Sequence, residues 1–210
     1  MEIKTLSEET LDAACRKLIK SDKRLAFIYE TYGTPPLWAR PSGFSTLVHI
    51  ILEQQVSLAS AKTCHDKLCL RLGKLTPKAF LMLSDENLRA DGFSRQKTAY
   101  ARNLAEQILN RKLSLKKLEE MPNDEARSTL KQLKGIGDWT ADIYLLMVLL
   151  RQDVMPRGDL ALHVAYQKLF GLDHRPGSDE FIALAEKWQP YRAVAARLLW
   201  HFYLSERKRK

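Results

Sequence analysis

Two features of this chain could do chemistry: a glycine pair, Gly135 and Gly137 in "LKGIGDWTADI", and an aspartate, Asp159, in "MPRGDLAL". Glycine inside a helix costs roughly 1 kcal/mol against alanine, so a pair just before a helix-forming run marks a turn. That turn needs positive φ or a close backbone approach. Backbone N–H groups around Gly135, Gly137 and the first helical turn at Trp139 and Thr140 lack intrahelical acceptors, and the helix dipole there favours an anion. With no side chains in the way, a phosphate can lie on those amides, with Lys134 adding charge. The same letters also fit an ordinary tight turn between two glycine-capped helices. Asp159 is equally double-valued: a helix N-cap, a carboxylate that stabilises a developing cation, or both. His163 lies one turn further on and reads as a packed helix-face histidine or as a base.

The elements that position these residues follow from periodicity. A helix from Asn123 to Leu133 ends at "KGIG", and a second runs from near Asp138 to about Arg151, making a hairpin over 123–151. The second helix carries the chain roughly 21 Å away at 1.5 Å per residue. Residues 152–158 contain Pro156 and Gly158, read as extended, and return it by roughly 23 Å. The loop 152–159 is therefore expected to bring Asp159 back beside Trp139, at the start of another helix.

Helical stripes recur elsewhere: Leu11, Cys15, Leu18 and Ile19; Phe44, Leu47, Val48 and Ile51; Leu104, Ile108 and Leu109. Cap signals accompany them at Ser7, Ser94, Asn123 and Ser178. No run alternates with period two, no repeat is evident, and no linker is long enough to separate independent domains. The expectation is about ten helices in one all-α domain over 1–210.

The chain has 210 residues with 45% hydrophobic, enough to bury a core. A net charge of +9 favours a polyanionic partner, nucleic acid before membrane. The tail "SERKRK" reads as a solvated, frayed terminus. Ile143 to Leu150 is too short an apolar run to span a bilayer, and "MEIKTLSEETL" has no signal-peptide core, so a cytoplasmic or nuclear location is expected. Cys15, Cys64 and Cys69 are too few and too scattered for a disulfide framework or a metal motif, and all three are expected to be buried thiols. Arg95 and Lys97, in "GFSRQKTAY", start a helix behind Ser94 and face either phosphate or solvent.

A G-x-G hairpin followed about twenty residues later by Pro, Gly and Asp resembles the helix-hairpin-helix DNA glycosylase superfamily, and most closely its 3-methyladenine DNA glycosylase II, or alkylation-repair, family. The resemblance runs through "FSTLVHIILEQQVSLASA", "DGFSRQKTAYARNLA", "LKGIGDWTADI", "MPRGDLAL" and "AEKWQPYRAVAARLLWHFY". It implies two helical lobes flanking a base-binding cleft and a monomer acting on double-stranded DNA that contains alkylated bases. Asp159 would then be the catalytic carboxylate, and Gly135, Gly137 and Thr140 would face a phosphate. The carbonyls of Lys131, Leu133 and Ile136 would hold a structural Na+ or K+, and catalysis would need no cofactor. Gln55, with Ser57 after it in "EQQVS", falls where the family's wedge enters the minor groove. Trp139 and Trp200 match aromatic positions of the base pocket, with Tyr144, Phe44 and Trp38 as further candidates.

The departures are informative too. Lyase-type relatives place a lysine where Trp139 stands, and several carry an iron–sulfur cluster on four C-terminal cysteines, whereas no cysteine follows Cys69 here. The expectation is a monofunctional glycosylase without a cluster. It excises cationic methylated purines, held by indole cation–π attraction of about 2 kcal/mol. The competing readings are a glycosylase/lyase for oxidised or mismatched bases and a non-catalytic helix-hairpin-helix DNA-binding module.

Overall fold

Helices form every regular element among the residues that the computed structural model describes, 3–208. Met1, Glu2 and the tail residues Arg209 and Lys210 lie outside the described residues. Thirteen α-helices and one short 3-10 turn follow in order, and the bridge between Thr5 and Arg151 belongs to no strand. The count exceeds ten because α5 Pro77–Leu81, α6 Asp85–Ala90 and α8 Leu115–Glu120 have only five or six residues each. Elements that short show no apolar period.

Side-chain caps start most helices. Ser7 and Thr10 cap α1 Glu8–Leu18 reciprocally, and Ser94 caps α7 Arg95–Leu109. Two expected caps move by one residue. Asn123 is the first residue of α9 Asn123–Lys131, behind Pro122, and Ser178 is the first residue of α12 Ser178–Ala185, behind Gly177. The N–H of Gly177 is taken instead by the Glu180 carboxylate at 3.2 Å. Asp124 and Glu125 still favour the start of α9 through its dipole.

The chain divides into two compact units: Arg40–Tyr144, and the remainder before Arg40 and from Leu145 onward. In the second of these, α13 Arg192–Lys208 packs against α1, α2 Lys23–Tyr32 and α11 Leu160–Phe170. Ala193, Ala195 and Ala196 are fully buried, and such small side chains let neighbouring backbones come close. Arg197 is buried among them and donates to the carbonyls of Leu37, Ala193 and Leu146 at 2.8–3.1 Å. That burial lowers its pKa to about 10.

The second helix of the hairpin, α10 Asp138–Met147, stops short of the expected Arg151. Leu150 turns left-handed at φ 53°, and the Arg151 N–H reaches back to the Leu145 carbonyl at 2.9 Å. The extended stretch therefore begins earlier, tied by Leu6 N–H to Leu150 O (2.8 Å) and Gln152 N–H to Lys4 O (3.0 Å). Arg192 grips Asp153 through Nε and Nη2 at 2.9 and 3.0 Å.

In the unit Arg40–Tyr144, α3 Phe44–Glu53 is the central helix, with eight of its ten residues buried. It packs on α4 Leu58–Leu72 and α7. Its buried Glu53 is held by Arg40 in a two-pronged contact of 3.0 and 2.9 Å. Cys15 and Cys64 are buried free thiols, but Cys69 is only partly covered, which corrects the expectation for that residue. Among the described residues, no helix is long and apolar enough to cross a membrane.

Candidate functional site

The hairpin forms as expected, but the two glycines do different work. Gly135 has φ 85°, and a Cβ added there would stand 2.1 Å from the Tyr100 ring. The close approach that excludes a side chain at Gly135 is thus an aromatic ring of α7. Gly137 has no positive φ and nothing within 4 Å of its would-be Cβ, so its side is open. Of the two hairpin glycines, only Gly137 would leave a side chain unobstructed. Lys134 is exposed, and its N–H is taken by Asn103 Oδ1 at 3.2 Å. An ion pair between Lys131 and Asp138 links the two arms. Arg127 joins them again through the buried Asp142 at 2.7 Å.

Thr140 does not face a phosphate through its hydroxyl. It is 2% exposed, and its Oγ1 accepts from Gln54 Nε2 at 2.9 Å. The same Nε2 donates to the Gly135 carbonyl at 2.9 Å. Gln54 is the residue at which α3 ends, and Gln55 follows, exposed, with φ 57°. An exposed non-glycine residue held left-handed is uncommon and marks a built feature. Ser57 caps α4 through Ser60 N–H at 3.2 Å.

Lys97 also leaves its expected place at phosphate. Its ammonium donates to the Leu52 carbonyl at 2.7 Å, in the last turn of α3, and burial lowers its pKa. Arg95 is exposed at the start of α7.

In the other unit, Asp159 is both cap and constrained carboxylate. It is 8% exposed and caps α11, its Oδ1 accepting the Leu162 N–H at 3.0 Å. The same oxygen accepts the Trp200 indole N–H at 3.1 Å. Trp200 meets Trp38 edge to face, with ring centroids 6.1 Å apart. Trp38 is half-buried and left-handed at φ 50°. His163 is buried with its ring against Phe181 at 4.7 Å, its Nε2 has no hydrogen-bond partner, and burial lowers its pKa. It is a packing residue of the helix face.

The aromatic candidates separate. Trp139 is half-buried on the first turn of α10. Phe44 is not a pocket residue: it is 6% exposed and packs edge-on against Phe80 at 5.8 Å. Tyr144 is fully buried, with its hydroxyl 3.4 Å from Ser42 Oγ, and offers no face to a ligand. Both lie on the apolar stripes of their helices, where core packing takes the ring.

Sequence reasoning missed Gln54, Tyr100 and Asn103, and it missed the grip of Trp200 on Asp159. Tyr100 and Asn103 sit three apart on α7 and so share a face, a spacing that could have flagged a common target. Nothing in the sequence links Gln54 to the hairpin, 81 residues away.

Comparison with known proteins gives concordant findings. The family model described as HhH-GPD superfamily base excision DNA repair protein matches residues 48–190. The chain is 28% identical over 188 residues to a putative DNA-3-methyladenine glycosylase, YfjP, of Bacillus subtilis, covering 86% of this chain and 66% of that one. It is 28% identical over 200 residues to the alkylbase DNA glycosidase-like protein mag2 of Schizosaccharomyces pombe, covering 92% and 94%. It is also similar in structure to the S. pombe 3-methyladenine DNA glycosylase Mag1 in complex with abasic DNA. That match has a TM-score of 0.79 at 27% identity, covering 91% of this chain and 95% of that one.

Proposed function

The chain belongs to the HhH-GPD superfamily of base excision DNA repair proteins, and on that footing we propose that it is a monofunctional DNA glycosylase. It hydrolyses the N-glycosidic bond of alkylated purines, 3-methyladenine and 7-methylguanine, in duplex DNA. The observation that carries this reading is the Asp159 carboxylate, nearly buried and fixed by two N–H donors, in a chain whose relatives are named for this activity.

A duplex hides the bond, so the nucleotide must leave the stack. Gln55, exposed and left-handed at the end of α3, is suited to fill the vacated place, and the Gly137 amide to hold the backbone phosphate. N3- and N7-methylated purines carry a positive charge and need no strong acid to depart. The bond from C1′ to the ring nitrogen breaks, and its electron pair neutralises the base. The sugar is left as an oxocarbenium-like cation, whose charge a carboxylate stabilises. Water adds to C1′ and loses a proton, leaving an abasic site. Asp159 supplies the negative charge, and Trp200 and the Leu162 amide keep it oriented. Trp139 offers an electron-rich face to the cationic base. An indole cannot form the covalent imine that an amine at that position would, so the strand stays intact.

The carbonyls of Lys131, Leu133 and Ile136 run from the last residue of α9 through the turn before α10; that of Leu133 accepts the Ile136 N–H at 3.1 Å and keeps a second lone pair for a cation. We assign them to a structural Na+ or K+ that stiffens the hairpin. The protein acts as a monomer on DNA, in the compartment that holds it.

Incubation of the protein with methylated duplex DNA tests the reading. Strand breaks should appear only after alkali, which cleaves abasic sites. Breaks without alkali, or none with it, would reject it.

A further inference from the structure

The carboxamide of Gln54 ties two parts of the unit Arg40–Tyr144 that are remote in sequence, the end of α3 and the hairpin. We infer that Gln54 is a positioning residue that couples the phosphate grip of the hairpin to the wedge at Gln55. The inference rests on the proposed base-flipping reading and adds a residue to it.

The geometry is specific. Nε2 carries two hydrogens and meets two acceptors, the Gly135 carbonyl and Thr140 Oγ1, each at 2.9 Å. The Gly135 carbonyl can only accept, which fixes the amide orientation, because a flipped side chain would set oxygen against oxygen. Both acceptors belong to the hairpin: Gly135 is its left-handed turn, and Thr140 is on the first turn of α10. The main chain of Gln54 has left the helix, at φ −59° and ψ 122°, so the side chain anchors the segment just where helical bonds stop.

Two more anchors bracket the same segment. Lys97 holds the Leu52 carbonyl at 2.7 Å, and Ser57 starts α4. Between them Gln55 is exposed in a left-handed conformation that costs a non-glycine residue roughly 1–2 kcal/mol. A flexible loop would relax that conformation, so the anchors are what keep it. A phosphate bound at Gly137 then has a fixed position relative to Gln55 through Gly135 and Gln54. DNA held by the hairpin meets a wedge already in place.

This role differs from binding and from chemistry, and it has its own signature. The experiment is stopped-flow fluorescence of a duplex carrying 2-aminopurine beside an abasic analogue, whose signal reports unstacking and needs no bond cleavage. It therefore reads Gln54 even if the glycosylase reading falls. Gln54→Ala should slow unstacking about tenfold, as expected for losing one to two hydrogen bonds. Affinity for undamaged duplex should stay within about threefold and its salt dependence should not change. In a double-mutant cycle, Gln54→Ala with Gln55→Ala should be no slower than the slower single variant, because one acts through the other. Thr140→Val removes one acceptor and leaves the Gly135 contact, so it should give a smaller loss in the same direction and keeps the test readable if Gln54→Ala is unstable. Multiplying losses in the cycle, or loss of undamaged-duplex affinity in step with unstacking, would overturn the inference. So would wild-type unstacking in both Gln54→Ala and Thr140→Val.

Discussion

Replacing each hairpin glycine by alanine should separate the two jobs the pair performs. At Gly135 the new methyl group meets a backbone at φ 85° and the Tyr100 ring at 2.1–2.5 Å. The left-handed conformation costs about 1–2 kcal/mol, and forcing a methyl against a packed ring adds about 1–3 kcal/mol. The sum, roughly 2–5 kcal/mol, lowers Tm by on the order of 10 °C in a chain of this size. At Gly137 neither cost arises, since φ is ordinary and nothing lies within 4 Å. Gly137→Ala should therefore melt within about 1–2 °C of wild type, the scale of a neutral surface change. Its methyl group instead stands where a phosphate would rest, removing one charge-assisted hydrogen bond worth about 1.5–3 kcal/mol, or about tenfold or more in Kd. Scanning calorimetry and fluorescence anisotropy on an abasic-analogue duplex read the two effects. A further check is Gly135→Ala in a Tyr100→Ala background, where the penalty from adding the methyl should shrink to the strain part alone. Wild-type DNA affinity in Gly137→Ala, or wild-type Tm in Gly135→Ala, would refute this division of labour.

Three further outcomes are expected. Trp200→Phe keeps an aromatic ring, though a smaller one, and deletes the donor to Asp159 Oδ1, so single-turnover base release should fall about tenfold, one hydrogen bond to a charged group, with DNA affinity unchanged; an unchanged rate would show that the indole does not orient the carboxylate. Stability should fall with acid, because burial depresses the pKa values of His49, His65 and His163. The unfolded chain then takes up protons first, from about pH 6.5 downward, so urea midpoints should drop between pH 7 and 5, and a rise would contradict the downward shift that burial of His163 and partial burial of His49 and His65 impose. Log Kd for duplex DNA should climb linearly with log salt as counterions are released; a flat plot would remove phosphate contacts as the basis of affinity.

How far the sequence could be read depended on whether a feature was local. The hairpin turn, the Ser7 and Ser94 caps and the Asp159 cap are set by neighbours within a few residues, and they appear where expected. The end of α10 did not, because Leu150 and Gln152 are held by Leu6 and Lys4 from the far end of the chain. Side-chain roles failed for the same reason. Lys97, Thr140, Phe44 and Tyr144 each looked available for a ligand, and each is occupied by a partner that folding alone brings near. Gly135 is the clearest case: its type signalled a close approach, but only the structure identifies the neighbour as Tyr100.

On the proposed reading, Asp159 drives hydrolytic release of methylated purines. Its most direct test is chromatography of free bases liberated from methylated DNA by the wild type and by Asp159→Asn, which keeps the side-chain shape and removes its charge. The wild type should release 3-methyladenine and 7-methylguanine, and the variant about a hundredfold less or lower still, the scale of losing one electrostatic stabiliser, with DNA binding retained. Near-wild-type release of 7-methylguanine by Asp159→Asn would contradict it.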